Sequence, residues 1–247
     1  MRPPLEELDF TAITTHDLAD LRREVQRLAR KLAARIKYKQ RHQHHGRLDF
    51  RRTVRASLGT GGVPIRLHLA PPRLARPDLV VLADASQSVS SFMRFTLMFL
   101  FALQEQFSRV RAFAFIDTVD DITRFFENNN DVSKAATRLV QEAKLVEGFG
   151  STDYGKVFTQ FRERYPDAIT PRTSVLILGD GRGNYRDLGL PVLDWIQKRA
   201  RSFYWLNPEP SSLWGTGDSE AATISQHVTM IECRNLVQLS DFIERIT

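Results

Sequence analysis

An α/β fold built on a doubly wound, mostly parallel sheet with helices on both faces is predicted by three features of the 247-residue sequence. Leu79-Val80-Val81-Leu82-Ala83 and the run from Ser174 to Leu178 are unbroken and strand-length, the pattern of strands covered on both faces. Segments of helical period alternate with strand-like runs to the end of the chain, as βα units do. Both runs lead into an aspartate, Asp84 and Asp180, at the carboxyl edge where sheets of this kind hold their sites. Hydrophobic residues make up 42% of the chain and charged residues 26%, which supports a sizeable core and excludes wholesale disorder.

Each element follows from its own pattern. Over residues 17–39, Leu18, Leu21, Val25, Leu28, Leu32 and Ile36 recur every three or four positions and form one apolar stripe, with Thr14 or Thr15 as cap. Residues 41–55 are a basic stretch holding His42, His44 and His45. Gly61-Gly62 turns the chain. The alternation of Val63, Ile65, Leu67 and Leu69 then predicts a half-buried strand, and Pro64 suits an edge position. Pro71-Pro72 to Pro77 reads as a linker. It divides the chain into a basic helical arm with a short edge strand (1–77) and an α/β domain (78–247). In that domain the pattern predicts strand 79–83, a turn at 84–90 and a helix 92–107 apolar nearly all round. Strand 110–116 and amphipathic helices 132–143 and 153–164 follow. Strand 174–178, helix 191–200, strands 202–206 and 228–231, and helix 236–246 complete it.

The net charge of +6 is unevenly placed. Residues 1–77 hold 17 Lys/Arg against 7 Asp/Glu, a net +10, and residues 78–247 hold 18 against 22, a net −4. The basic segment calls for an acidic counterpart: a protein, a nucleic acid, or the acidic remainder of its own chain. The single cysteine, Cys233, excludes an internal disulfide and a Cys-rich metal site. With no apolar leader and no membrane-length run, the expected setting is cytoplasmic.

The chemistry concentrates in three loops. The first reads Asp84-Ala85-Ser86-Gln87-Ser88, with one carboxylate and two hydroxyls at every second position. The second, rich in glycine, holds Ser151, Thr152 and Asp153, and the third holds Asp180. These are hard oxygen donors. Two carboxylates with three hydroxyls suit Mg²⁺, which takes few carboxylates and keeps open positions that a partner's carboxylate can fill.

This Asp-x-Ser-x-Ser loop after an apolar strand, with a later Gly-Ser-Thr loop and a strand-terminal Asp, resembles the metal-ion-dependent adhesion site of von Willebrand factor A (VWA) domains. The flanking residues resemble the CoxE-like branch of bacterial VWA proteins. They are the stretch from Gly46 to Arg55, Gly61-Gly62, and Leu206-Asn207-Pro208-Glu209-Pro210 with its following tryptophan. The resemblance implies a Mg²⁺ (or Mn²⁺) site of Asp84, Ser86, Ser88, Thr152 and Asp180. Ser151 and Asp153 are expected as outer hydrogen-bonding support, and Gln87 and Arg182 as the partner-facing rim. Gln87-Ser88-Val89 departs from the family's usual Gly then Ser-Met, and Gln87 adds bulk at the rim. The implied partners are a MoxR-type AAA+ ATPase and a client protein offering an acidic residue. The implied role is a non-enzymatic adaptor in maturing or remodelling metalloenzymes or other complexes.

Competing readings are weaker on chemical grounds. Asp84, Ser86 or Ser88 could cap the next helix. Gly150 to Val157 nearly spells a phosphate-binding loop, but Val157 stands where a Ser or Thr hydroxyl should hold Mg²⁺. An aspartate nucleophile at Asp84 generally needs a second carboxylate two residues on, where Ser86 stands, and the loops offer no general base for a hydrolase or phosphotransferase. The histidines at 42, 44 and 45 sit among cations and read as a solvated basic face, which a nucleic acid could also use. His68, His227, Cys233, Trp195, Trp205 and Trp214 read as structural.

Overall fold

The computed structural model describes residues 3–43, 48–58, 78–126, 142–145 and 151–246. Six strands form one sheet: β1 (Asp78–Asp84), β2 (Arg109–Phe115), β3 (Val119–Asp121), β4 (Thr173–Leu178), β5 (Ser202–Asn207) and β6 (Thr229–Glu232). Their order is β3-β2-β1-β4-β5-β6. All neighbours are parallel except β2 and β3. The predicted fold class is therefore the observed one, and strand boundaries agree to within a residue or two. The short hairpin strand β3 was not foreseen, because three residues are too few for a readable period.

Strand periodicity sorts the core into two layers. Leu79 and Val81 of β1, with Leu176 and Leu178 of β4, face one layer; Val80, Leu82, Val175 and Ile177 face the other. Helices α1 (Leu18–Gln43), α3 (Ser90–Gln104) and α7 (Leu236–Arg245) cover the first face. Helices α4 (Tyr154–Arg164), α5 (Leu190–Arg199) and the short α6 (Ala221–Ile224) cover the second. As its composition requires, α3 is central: Phe95, Phe99, Leu100 and Leu103 are all within 1% of full burial.

The basic N-terminal helix docks through its apolar stripe. Leu21, Val25, Leu28, Leu32 and Ile36 are buried in the same cluster as α3 and α7. Phe10 ahead of it stacks on Phe95 at 3.8 Å. The Phe10 amide donates to Arg234 O at 2.7 Å, and Arg234 pairs with Asp9 at 2.8 Å. The Asp17 carboxylate accepts from the Thr14 amide and hydroxyl at the helix entrance. Arg22, Arg23, Arg27, Arg30, Lys31, Arg35 and Lys37 lie on the exposed side. Arg23 and Arg27 pair with Asp20 and Glu24 of the same helix. Apolar burial holds this helix in place.

Helix α2 (Phe50–Ser57) lies inside the stretch read as merely basic. Its pattern is inverted: it buries Thr53 and Ser57 and leaves Phe50 70% and Val54 41% exposed. The expected edge strand at 63–69, the turn at Gly61-Gly62 and the linker at 71–77 lie outside the described residues, as does helix 132–143 apart from Glu142 and Ala143. The side chains of His42, His44 and His45 also lie outside them. Among the described residues no helix is long and apolar enough to cross a membrane.

Candidate functional site

In this strand order, chain direction across the sheet reverses at β1 and β4, so a crevice opens beyond their carboxyl ends. Asp84 closes β1, and Asp180 stands two residues past the end of β4. Both are almost fully buried, at 3% and 2% exposure.

The first loop is folded by its own aspartate. Asp84 Oδ1 accepts from the Ser86 amide at 2.8 Å, and the Ser86 and Ser88 hydroxyls lie 3.0 Å apart. Ser86 is buried, while Ser88 and Gln87 are exposed and mark the open side. None of these residues caps α3, whose N-cap is Val89 and which has no side-chain cap bond. The alternative reading of the aspartate and serines as caps of this helix therefore does not hold.

The third loop is held by its own backbone and by β5. Asp180 Oδ1 accepts from the Arg182 amide at 3.0 Å, and the Asp180 carbonyl accepts from Asn207 Nδ2 at 2.7 Å. The Trp205 indole donates to Gly179 O at 2.8 Å. Asp180 Oδ2, however, is buried with no hydrogen-bond partner. The Arg182 guanidinium turns away to the carboxylates of Glu209 and Asp218. Those two partners hold its pKa above the usual arginine range. Arg182 thus ties the loop after β4 to the loop after β5, and its charge is already compensated.

Thr152 in the second loop is buried at 3% exposure. The next amide, Asp153 N, donates to Ile116 O beyond β2 at 3.2 Å, and the Thr152 carbonyl accepts from Asn184 Nδ2 at 3.0 Å. These bonds tie the Thr152 loop to the end of β2 and to the loop that carries Asp180. Asp153 caps α4 through Lys156 N at 3.0 Å, and its other oxygen pairs with Arg186 at 3.4 Å. Ser151 is half-buried.

Tyr154, the first residue of α4, was not singled out from the sequence. It is fully buried, and its hydroxyl reaches Asp84 Oδ2 at 2.8 Å and accepts from the Gly181 amide at 3.1 Å. Only the adjacency of β1 and β4 reveals that contact. Burial, and then the charge of Asp180, pushes the Asp84 carboxyl up to about 7. Burial, then the charges of Asp84 and Asp180, pushes the Tyr154 hydroxyl well above its ordinary range.

A side chain at position 179 would press on its neighbours. A Cβ there would lie 3.0 Å from Asp84 Cβ and 3.3 Å from the Tyr154 hydroxyl. Gly179→Ala is expected to push Asp84 and Tyr154 off their bonds and destabilise the fold by about 1–3 kcal/mol, measured by urea unfolding. Wild-type stability in that variant would show that the contact relaxes freely.

The arrangement is a buried acidic pair, Asp84 and Asp180, with the Tyr154 hydroxyl on Asp84. Among the described residues no three His, Cys, Asp or Glu side chains group together. Cys233 is buried and its thiol is pushed up by that burial, and His227 pairs with Asp194 at 2.7 Å. Both are structural in this setting. A cleft lined by Phe107, Arg109, Arg111, Asp121 and Arg124 opens at the opposite end of β2, where Arg111 and Arg124 already pair with Asp121 and Asp120.

Solved structures similar to this chain include proximal thread matrix protein 1 from the mussel byssus. Its crystal form 2 matches at 16% identity and a TM-score of 0.45, covering 70% of this chain and 47% of that one. A structure of the same protein with a zinc-occupied MIDAS motif matches at 17% identity and 0.44, with the same coverage. A von Willebrand factor type A protein from Catenulispora acidiphila matches at 15% identity and 0.43, covering 73% of this chain and 43% of that one. The chain therefore spans about half the length of the first of these. No curated protein matches it significantly. The family model described as VWA domain containing CoxE-like protein matches residues 21–242, from the first turn of α1 into α7. The chain belongs to the CoxE-like family of VWA-domain proteins.

Proposed function

We propose that this chain is a divalent-metal-dependent adaptor. It would hold Mg²⁺ or Mn²⁺ at Asp84, Ser86, Ser88, Thr152 and Asp180, and work with a MoxR-type AAA+ ATPase. The task of the pair is to mature or remodel a metalloenzyme or another complex, whose acidic residue docks at the site. Family membership implies a protein-interaction domain with a protein partner. The metal and the ATPase are what the resemblance to CoxE-like VWA proteins adds.

One observation carries the metal. At the crevice between β1 and β4, burial and then the charge of Asp180 raise the Asp84 carboxyl, and the buried Asp180 Oδ2 has no hydrogen-bond partner. A buried carboxylate oxygen left unpaired is costly, and two like charges in one site are costlier. A divalent cation offsets both. The donors fit: they are all oxygens, only two are carboxylates, and hydroxyls make up the rest, as Mg²⁺ and Mn²⁺ prefer. A cation bound there would supply a positive point for an incoming carboxylate. The chain's own groups do the positioning. Ser86 N–H and the Tyr154 hydroxyl hold Asp84, Arg182 N–H and Asn207 hold Asp180, and exposed Ser88 and Gln87 border the open side.

In a binding assay with the purified ATPase, the complex is expected to form with Mg²⁺ and to disappear with EDTA or in Asp84→Ala. A folded Asp84→Ala chain that binds the ATPase as the wild type does, with EDTA present, overturns the reading. The alternative, nucleic-acid association through the basic N-terminal arm (1–77), predicts binding that weakens steeply with salt and ignores EDTA. A gel-shift titration on the same samples separates the two.

A further inference from the structure

We infer that Tyr154 is a positioning residue of this site: its buried hydroxyl ties the carboxylate at the end of β1 to the backbone beyond β4 and fixes how Asp84 is presented to a cation. The inference rests on the metal reading above and deepens it.

The hydroxyl has one hydrogen. The Gly181 N–H points at the phenol oxygen from 3.1 Å and occupies a lone pair, so the phenol hydrogen is directed at Asp84 Oδ2, 2.8 Å away. Asp84 Oδ1 is held by the Ser86 amide at 2.8 Å. Asp84 is therefore gripped at both oxygens, once by its own loop and once from α4. Each oxygen keeps a further lone pair, in a plane set by those two donors. Asp180 is gripped at Oδ1 only. The cation is thus offered one unpaired oxygen by Asp180 and a pre-oriented carboxylate by Asp84.

Ring and hydroxyl have separable duties. The ring packs with Phe115, Phe158 and Trp205 at centroid distances of 5.8, 5.6 and 5.5 Å. Packing alone would be served by phenylalanine, which fills positions 115, 158 and 161 of the same layer. A hydroxyl buried there without partners would be destabilising, so its presence is explained by what it binds.

The test is Tyr154→Phe in the full chain, with Mn²⁺ alone as probe. Calorimetry is expected to show the Mn²⁺ affinity falling by roughly ten- to a hundredfold, as when outer partners of metal ligands are removed. The electron paramagnetic resonance spectrum of bound Mn²⁺ should change, and melting in EDTA should remain cooperative. Unchanged affinity with an unchanged spectrum overturns the role of the hydroxyl while leaving the metal reading intact. A wild type that binds no Mn²⁺ overturns the metal reading, and this inference with it. A second measurement does not depend on the variant folding. With 3-fluorotyrosine at position 154, the fluorine resonance is expected to shift on Mg²⁺ addition, and not to shift in the Asp84→Ala background. An unmoved resonance in otherwise wild-type protein overturns the inference.

Discussion

A fragment beginning at residue 78 is expected to lose cooperative unfolding and to aggregate, although it contains every strand of the sheet described here. The reason lies on the face covered by α1. Leu21, Val25, Leu28, Leu32 and Ile36 are each at most 4% exposed, and they share one cluster with Phe92, Phe95, Phe99 and Leu239. Removing them uncovers the apolar faces of α3 and α7 with which they share a cluster, and monomers rarely expose large contiguous apolar patches. The stacked pair Phe10–Phe95 and the Asp9–Arg234 bridge go with them. Point substitutions should report the same dependence, with Leu28→Ala and Leu32→Ala each costing about 2–5 kcal/mol in denaturant unfolding. If residues 1–77 behaved as an independent arm, the fragment would instead melt as the full chain does.

Asp84→Asn is expected to abolish the rise in melting temperature on adding Mg²⁺ or Mn²⁺ while making the metal-free protein more stable near neutral pH. The folded carboxyl titrates at about 7 and the ordinary one at 3.8. Between those values the folded state holds a proton that the unfolded state has released. The contribution of Asp84 to stability is therefore greatest below about pH 4, declines as pH rises to about 7, and is flat above. Asparagine carries no charge, so that decline should vanish in the variant. In the wild type a bound cation should offset the decline by mass action, since it binds the folded form. Unfolding curves of both proteins across this range, with EDTA and with metal, give the comparison. A wild type and variant with parallel pH profiles would show that Asp84 is an ordinary carboxylate.

The buried strands and α1 were legible because their patterns are local. β1 and β4 are apolar throughout, since both sheet faces are covered, and α1 repeats leucines at helical spacing. Helix α2 was not, because it buries Thr53 and Ser57 while exposing Phe50 and Val54, the reverse of the pattern that signals a helix. Of the candidate site, the sequence offered the acidic and hydroxyl groups and their loops. It could not offer Tyr154, whose role depends on a phenol from α4 meeting Asp84 and Gly181 where β1 and β4 lie side by side.

The sequence by itself determined the doubly wound α/β class and the family, because these are written in short-range periodicity and in short motifs set in a fixed order along the chain. Only the tertiary structure decided how the groups of the candidate site are held and charged. It buried Asp84 beside Asp180, left one Asp180 oxygen unpaired, and turned Arg182 toward Glu209 and Asp218. It also made the basic helix part of the core. Burial and pairing of charges are set by residues far apart in the chain, and local pattern carries no record of which of them the sheet will bring together.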